Sequence, residues 1–303
     1  MIIDSHAHLL NSIRSISAKE HPHCLAWDGE KVVVRELASA ASLPDVLRAE
    51  GIAASVEPAT TLASNYEILD FCAAHEGVYA ACGIHPTRLY VNKREADGSV
   101  TSVITTKGKY RELEALIKEN RDRISAIKTG LDFHRPPFHR HYQIRWFKRL
   151  VRLSVRLELP LVLHIRMADR TAIRVLRRYR GRIRGSVHCF TGNPHIAHIY
   201  TKRLGLCLGI GGFLLNEGDY LPGMEESVIR TSPEKLLLET DCPYVQPPYD
   251  PGKLTPHQRR AVVNSPLILP AVARRIAALK GMTEEEVCRV TADNARTLFG
   301  MKE

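Results

Sequence analysis

Histidine, lysine, arginine and aspartate side chains follow directly after short apolar segments of this chain. They are His6 and His8, then His85, Lys128, His164, Arg166, His188 and Asp241. Imidazole nitrogens together with a carboxylate oxygen form a ligand set for divalent metals, here zinc, manganese, magnesium or nickel. A lone His-X-His pair is common by chance, so a metal site requires a fold that brings these positions together.

The apolar segments that precede these residues number eight. They read MIID, IAASVEP, GVYAACGIHP, RISAIKTGLD, LPLVLHIR, GSVHCFTG, GLCLGIGG and KLLLETDCP. Between them lie stretches with apolar residues at i, i+3 and i+4, such as SNYEILDFCAAH and YQIRWFKRLVRLSVRLE. Near-continuous apolar strands that alternate with amphipathic helices indicate parallel strands buried on both faces.

Eight such units predict an α/β fold, a (β/α)8 TIM barrel formed by residues 1–303 as a single domain. The competing doubly wound sheet would need a glycine-rich turn after the first strand, which is absent. In a TIM barrel the carboxyl ends of the strands meet at one mouth. The predicted metal ligands His6, His8, His164, His188 and Asp241 would therefore converge there, with His85 and Arg166 beside them.

Two connections are long for this fold. One runs from Leu10 to about Ser42, the other from about Arg88 to Gly108. Both are predicted to be loops at the catalytic mouth, where either could form a lid, and disorder is the alternative for the second. The stretch His21-Pro22-His23-Cys24 is predicted to be surface loop, and two helices, Pro266–Lys280 and Glu284–Phe299, to end the chain.

Composition places the chain among ordinary globular proteins, with 44% hydrophobic and 25% charged residues. The formal net charge of +10 weakly suggests a polyanionic partner, although a segment such as RVLRRYRGRIRG is typical of a solvated face. Seven scattered cysteines without a CxxC pair indicate reduced thiols. With no signal peptide or membrane span in the pattern, we expect a cytoplasmic protein without a membrane partner.

Seven motifs carry a family resemblance. DSHAHL, CGIHP, GLDFHR, PLVLHIR, HCFTG, LLLETDCPY and DNARTLF, in this order, resemble the TatD family of metal-dependent hydrolases, a branch of the amidohydrolase-type barrels. The resemblance implies a two-metal site and hydrolysis of phosphodiester bonds by a metal-activated water, as a DNase or 3′–5′ exonuclease. A nucleic-acid substrate is implied, with DNA favoured over RNA.

The resemblance also assigns roles to individual residues. His6, His8 and Asp241 would hold one metal ion, and His164 and His188 the other. Asp241 would position or deprotonate the attacking water. Arg166 and His85 would face the scissile phosphate.

Lys128 departs from the family pattern. Aligned on Gly130-Leu131-Asp132, Lys128 stands where the family has a glutamate that bridges both metals. Three hypotheses remain open. Lys128 is carboxylated by carbon dioxide and ligates as a carbamate, or it stays an ammonium that weakens one metal site, or the alignment is displaced and Asp132 supplies the carboxylate. Asn264-Ser265-Pro266, in place of the usual Asn-Glu-Pro, is a second departure.

Three functions follow from these alternatives. The favoured one is a metal-dependent nuclease or phosphodiesterase. A carbamate-lysine amidohydrolase acting on lactones, amides or phosphoesters is the second, and a non-catalytic barrel with an impaired metal site the third. For the oligomeric state, a monomer is favoured.

Overall fold

Parallel strands that form one barrel are the core of the computed structural model, which describes residues 1–18, 23–94, 100–134, 139–216 and 223–301. The described strands are β1 (Ile2–Asp4), β2 (His23–Trp27), β3 (Val32–Glu36), β4 (Ile52–Pro58), β5 (Val78–Gly83), β6 (Tyr90–Arg94), β7 (Val100–Ile104), β8 (Ile124–Asp132), β9 (Leu161–Arg166), β10 (Gly185–His188), β11 (Cys207–Ile210) and β12 (Leu236–Leu238). Eight of them form one sheet in the order β1, β4, β5, β8, β9, β10, β11, β12. Each coincides with one of the eight predicted segments.

Backbone hydrogen bonds join the last strand to the first and close the barrel. The Ser5 N–H donates to the Leu238 carbonyl at 2.9 Å, and the Asp241 N–H donates to the His6 carbonyl at 2.8 Å. The predicted TIM barrel is therefore confirmed.

Helices cover the outside of the barrel. The described α-helices are α1 (Leu9–Ser17), α2 (Leu43–Ala49), α3 (Leu62–Ala74), α4 (Tyr110–Glu119), α5 (Arg140–Leu157), α6 (Asp169–Leu176), α7 (Pro194–His198), α8 (Met224–Arg230), α9 (Pro256–Arg259), α10 (Leu269–Lys280) and α11 (Glu284–Phe299). Short 3-10 turns and one π-helical turn, Ile199–Arg203, occur between them. Among the described residues, no helix combines the length and the apolar character needed to cross a membrane.

The amino end of the barrel is filled by apolar side chains and closed by α11. Inward-facing residues of the strands form a buried cluster with one face of this helix. The cluster contains Ile3, Val56, Ala81, Ala126, Val162, Cys207, Leu237, Ala292, Ala295, Leu298 and Phe299. The buried polar side chains at the strand ends, such as His6 and His188, lie at the opposite, carboxyl end of the barrel.

Both long connections contain regular structure, so predicting them as loops was wrong. The first holds α1, the antiparallel pair β2–β3 and α2. The predicted surface loop is also wrong at His23 and Cys24, which begin β2, and Cys24 is fully buried. The Leu25 N–H donates to the carbonyl of Val263, in the segment that follows β12, and so attaches the β2–β3 pair to the rest of the protein. His21 and Pro22 lie outside the described residues. The second connection forms the antiparallel hairpin β6–β7, of which residues 95–99 lie outside the described residues.

Candidate metal centre at the barrel mouth

His6, His8 and Asp241 meet at the carboxyl ends of β1 and β12. Asp241 Oδ1 lies 3.4 Å from His6 Nε2 and 3.6 Å from His8 Nε2. The buried Asp4 carboxylate ties the two strand ends together, since it accepts hydrogen bonds from the His6 N–H at 3.1 Å and the Thr240 hydroxyl at 2.6 Å. The backbone thus sets the distance between the three side chains.

His164 and His188 form a second group on β9 and β10. His164 Nδ1 lies 3.1 Å from His188 Nε2, and the opposite nitrogen of His164, Nε2, lies 3.0 Å from Asp132 Oδ2. The His188 ring stacks on the His6 ring with 3.8 Å between centroids, so the two groups adjoin. One ligand atom each from His6, His188 and Asp241 falls within 4.8 Å of the others.

Lys128 reaches into the same cluster from β8. Its side chain is buried, and its Nζ lies 3.2 Å from His6 Nε2. Burial lowers the pKa of Lys128, while the carboxylates of Asp241 and Glu239 oppose that change. Burial also raises the pKa of Asp241, against the effect of Lys128. Asp132 lies beside His164 rather than beside His6.

The buried imidazoles fit a divalent ion. Burial, together with the positive charge of Lys128, lowers the pKa of His8 to about 3 and that of His6 well below its usual range, so both rings are neutral and present lone pairs. Within the described residues, Nδ1 of His6 and of His188 has no hydrogen-bond partner. Two nitrogens bound to one tetrahedral zinc at about 2.0–2.1 Å would be about 3.3 Å apart. The 3.1 Å between His164 and His188 is close to that spacing.

His85 and Arg166 line a cavity of about 860 Å³ next to these ligands, together with Asp132, His164 and Arg88. The His85 ring packs edge-on against His164 at 4.2 Å, and its Nδ1 accepts a hydrogen bond from the Thr87 N–H at 3.3 Å.

Burial and the neighbouring cationic groups lower the pKa of His85, so its ring is neutral and carries its proton on Nε2. Among the described residues, no hydrogen bond joins the side chains of His85 and Arg166.

Sequence reasoning did not assign Glu239 or Arg88 to the site. Glu239 is buried behind His188, with its Oε1 accepting the Cys189 N–H and lying 4.0 Å from His188 Nδ1. Burial raises the pKa of Glu239 well above its usual range. The sequence does contain a signal for Glu239: it stands two residues before Asp241, which is the same spacing as between His6 and His8. For Arg88 the signal was its place in HPTR, at the end of the third barrel strand.

Asn264 and Ser265 have a structural role in the loop that follows Asp241. The Asn264 side-chain amide donates to the carbonyls of Thr240 and Tyr244 at 3.1 and 2.9 Å. The Ser265 hydroxyl donates to the Leu25 carbonyl at 2.6 Å and so binds β2 to the barrel.

Comparison with known proteins agrees with this architecture. A sequence profile described as TatD related DNase matches residues 3–300. The chain is 28% identical to the Bacillus subtilis protein named uncharacterized metal-dependent hydrolase YabD, with 99% of each chain covered. It is also 28% identical to the Rahnella protein named 3′-5′ ssDNA/RNA exonuclease TatD, with 91% of this chain and 94% of that protein covered.

Among solved structures, the TatD homolog YJJV from Escherichia coli superposes with a TM-score of 0.72 at 20% identity, over 99% of this chain and 98% of that one. The chain therefore belongs to the TatD family of metal-dependent hydrolases, as its motifs predicted.

Proposed function

We propose that this hydrolase removes nucleotides from the 3′ end of single-stranded nucleic acid, with DNA favoured over RNA. The observation that carries the proposal is the convergence of neutral, buried imidazoles on Asp241, beside a cavity that two arginine side chains line. Because the ligand cluster is buried at the barrel mouth, the end of a flexible strand reaches it more readily than a duplex does. The activity named for the Rahnella relative supports the same reaction.

One or two divalent ions, zinc, manganese, magnesium or nickel, belong to this proposal. His6, His8 and Asp241 would hold one ion, and His164 and His188 the other. A bound divalent ion supplies Lewis-acid polarisation of a phosphoryl oxygen and lowers the pKa of water.

The side chains of this protein supply the remaining steps. The Asp241 carboxylate accepts a proton from the attacking water, whose oxygen forms a bond to phosphorus while the bond to the sugar oxygen breaks. The same carboxyl group then returns that proton to the leaving oxygen. Arg166 and Arg88 bind the charged phosphate oxygens, and the neutral His85 donates its Nε2 proton to one of them.

The nuclease proposal is tested with single strands labelled at the 5′ end, after the protein has been loaded with each metal in turn. We expect successive shortening from the 3′ end, abolished in Asp241→Asn. Turnover of lactones or amides without cleavage of DNA would instead establish the amidohydrolase alternative. No turnover of any of these substrates by the metal-loaded protein would establish the non-catalytic barrel.

For Lys128 we propose carboxylation. The Nε2 of His6 has one lone pair, so this atom either accepts a hydrogen bond from the Lys128 amine or binds an ion. The neutral amine attacks carbon dioxide, a C–N bond forms and one proton is released to solvent. The product carries two oxygens that act as ligands, so Lys128 no longer competes for His6.

Carboxylation is tested by the metal content per chain, measured by mass spectrometry with and without bicarbonate. We expect two ions with bicarbonate, fewer in Lys128→Ala, and partial recovery of that variant with short carboxylic acids. A carbamate signal from ¹³C-labelled bicarbonate in NMR gives a second readout. One ion per chain, unchanged by bicarbonate and without that signal, would contradict carboxylation and favour the persistent ammonium.

Two further expectations concern the whole protein. The cysteines Cys24, Cys72, Cys82, Cys189, Cys207, Cys242 and Cys288 are all free thiols, which supports a cytoplasmic location. The monomeric state stays a prediction, which light scattering of the purified protein would test.

A further inference from the structure

A second cavity lies between the amino end of α4 and the first half of α5. Its volume is about 440 Å³, and we call it the α4–α5 groove. Its lining includes Tyr110, Arg111, Tyr142, Arg145, Trp146 and Arg149. Thr106 lines both this groove and the cavity at the barrel mouth, so the groove begins where the active-site cavity ends.

The groove carries positive charge that is not neutralised locally. Arg111, Arg145 and Arg149 are exposed, and in the part of the chain that the structure describes none of them forms an ion pair. The nearby carboxylates of Glu112 and Glu114 are paired with other cationic side chains. Three guanidinium groups therefore face solvent together.

Aromatic packing holds this surface in place. The Arg149 guanidinium lies over the Tyr110 ring at 4.9 Å, and the Tyr110 ring packs edge-on against the buried Trp146 at 5.8 Å. The Tyr142 hydroxyl lies 3.2 Å from the Thr106 hydroxyl, at the junction of the two cavities. The charged rim thus stands on a packed floor, and Arg149 loses less side-chain freedom when it binds a ligand.

We propose that the α4–α5 groove binds the phosphate groups of the part of a single strand that extends beyond the active-site cavity. This inference rests on the proposed nuclease function. Its basis is the continuity of the two cavities through Thr106 and the match between unpaired guanidinium groups and a chain of phosphates. A mononucleotide-sized substrate occupies only the cavity at the mouth, so the groove selects for polymers.

The test is the double variant Arg145→Ala/Arg149→Ala, prepared as the metal-loaded protein. Its binding to a twelve-nucleotide phosphorothioate DNA strand, which resists cleavage, is followed by fluorescence anisotropy at several salt concentrations. We expect at least about tenfold weaker binding and a log K against log salt slope shallower by about 1.4, since each single-strand phosphate contact contributes about 0.7. An RNA strand of the same sequence should lose affinity to the same extent, because the recognised group is the phosphate.

Two control variants accompany the test. Arg174→Ala/Arg178→Ala removes two exposed arginines with the same spacing outside the groove, and should leave affinity and slope unchanged. Arg145→Lys/Arg149→Lys keeps the charge and should keep the slope, which separates lost charge from misfolding.

Hydrolysis of thymidine 5′-p-nitrophenyl phosphate, a single diester too short to reach the groove, should proceed at the wild-type rate in the double alanine variant. Wild-type affinity and slope in that variant would overturn the groove assignment. Failure of the wild-type protein to hydrolyse the natural strand would overturn the nuclease function, and the binding experiment would still decide the groove.

Discussion

The buried carboxylate of Asp132 orients one histidine of the barrel mouth, His164. Asp132 Oδ2 lies 3.0 Å from His164 Nε2, and its Oδ1 accepts the His134 N–H at 3.0 Å. Although burial raises the pKa of Asp132, these hydrogen bonds lower it, so the group is ionised. By holding the proton of His164 on Nε2, Asp132 leaves Nδ1 free to face His188.

At the residue scale we predict that Asp132→Asn weakens metal binding about 10- to 100-fold, the usual effect of losing a carboxylate that orients a ligating histidine. An asparagine has one carbonyl oxygen and cannot accept from both His164 and His134 as the carboxylate does. Calorimetric titration of the metal-free protein measures the effect. The exposed Asp293→Asn is the matched control, and equal affinities in the two variants would contradict the orienting role.

Close contact between neighbouring strands sets the geometry at the element scale. Gly83 on β5 pairs with Lys128 on β8, and Gly130 on β8 pairs with His164 on β9. A Cβ atom at Gly83 would overlap the Lys128 carbonyl oxygen, and one at Gly130 would overlap the His164 carbonyl oxygen. The strands that carry the lysine and the histidine therefore need glycine at both positions.

We predict that Gly130→Ala lowers the free energy of unfolding by about 2–3 kcal/mol, since the clash is with backbone that cannot move aside without shifting β9. Urea denaturation measures this loss in the free energy of unfolding. The control is Gly252→Ala, where an added Cβ meets open space and only the positive φ of 54° opposes it, at about 1 kcal/mol. An equal loss in both variants would contradict the close approach of the strands.

Buried acidic groups couple the stability of the whole molecule to pH. Burial raises the pKa of Glu57 to about 8 and that of Asp4 to about 7. In the case of Glu57, the Leu10 N–H and Arg14 lower the pKa and Asp4 raises it. Between the unfolded value of 4.5 and about 8, the folded protein holds this proton more tightly than the unfolded chain. Its contribution to stability is therefore lost as the pH rises through that range.

For the whole molecule, we predict that Glu57→Gln removes this contribution to the pH dependence of the free energy of unfolding. The wild type should lose stability relative to the variant between pH 5 and pH 9. The full difference is on the order of 5 kcal/mol, from about 1.36 kcal/mol for each pKa unit between 4.5 and about 8. Urea unfolding at intervals across that range measures the difference, with the exposed Glu76→Gln as control. A difference between wild type and variant that stays constant with pH would contradict the assignment.

The sequence alone determined the barrel and the residues at its mouth. A nearly continuous run of apolar residues indicates a strand that is buried on both faces. Such a run can be recognised in MIID or LPLVLHIR without knowing which strand pairs with it. Because all strands of such a barrel point the same way, residues such as His6, His164 and Asp241 were predicted to converge, and they do.

The tertiary structure decided which side chains touch. The contact of Lys128 with His6, of Asp132 with His164 and of Glu239 with the Cys189 N–H depend on the register between strands distant in sequence. The same holds for the strands in the two long connections, whose segments of five residues are too short to carry a clear periodic signal. The β2–β3 pair, for example, is held by the hydrogen bond from the Leu25 N–H to the Val263 carbonyl, a contact between residues far apart in sequence that no local pattern predicts. The periodicity of apolar residues in the sequence shows which side chains are buried, whereas the closure of the barrel determines which other side chains they contact.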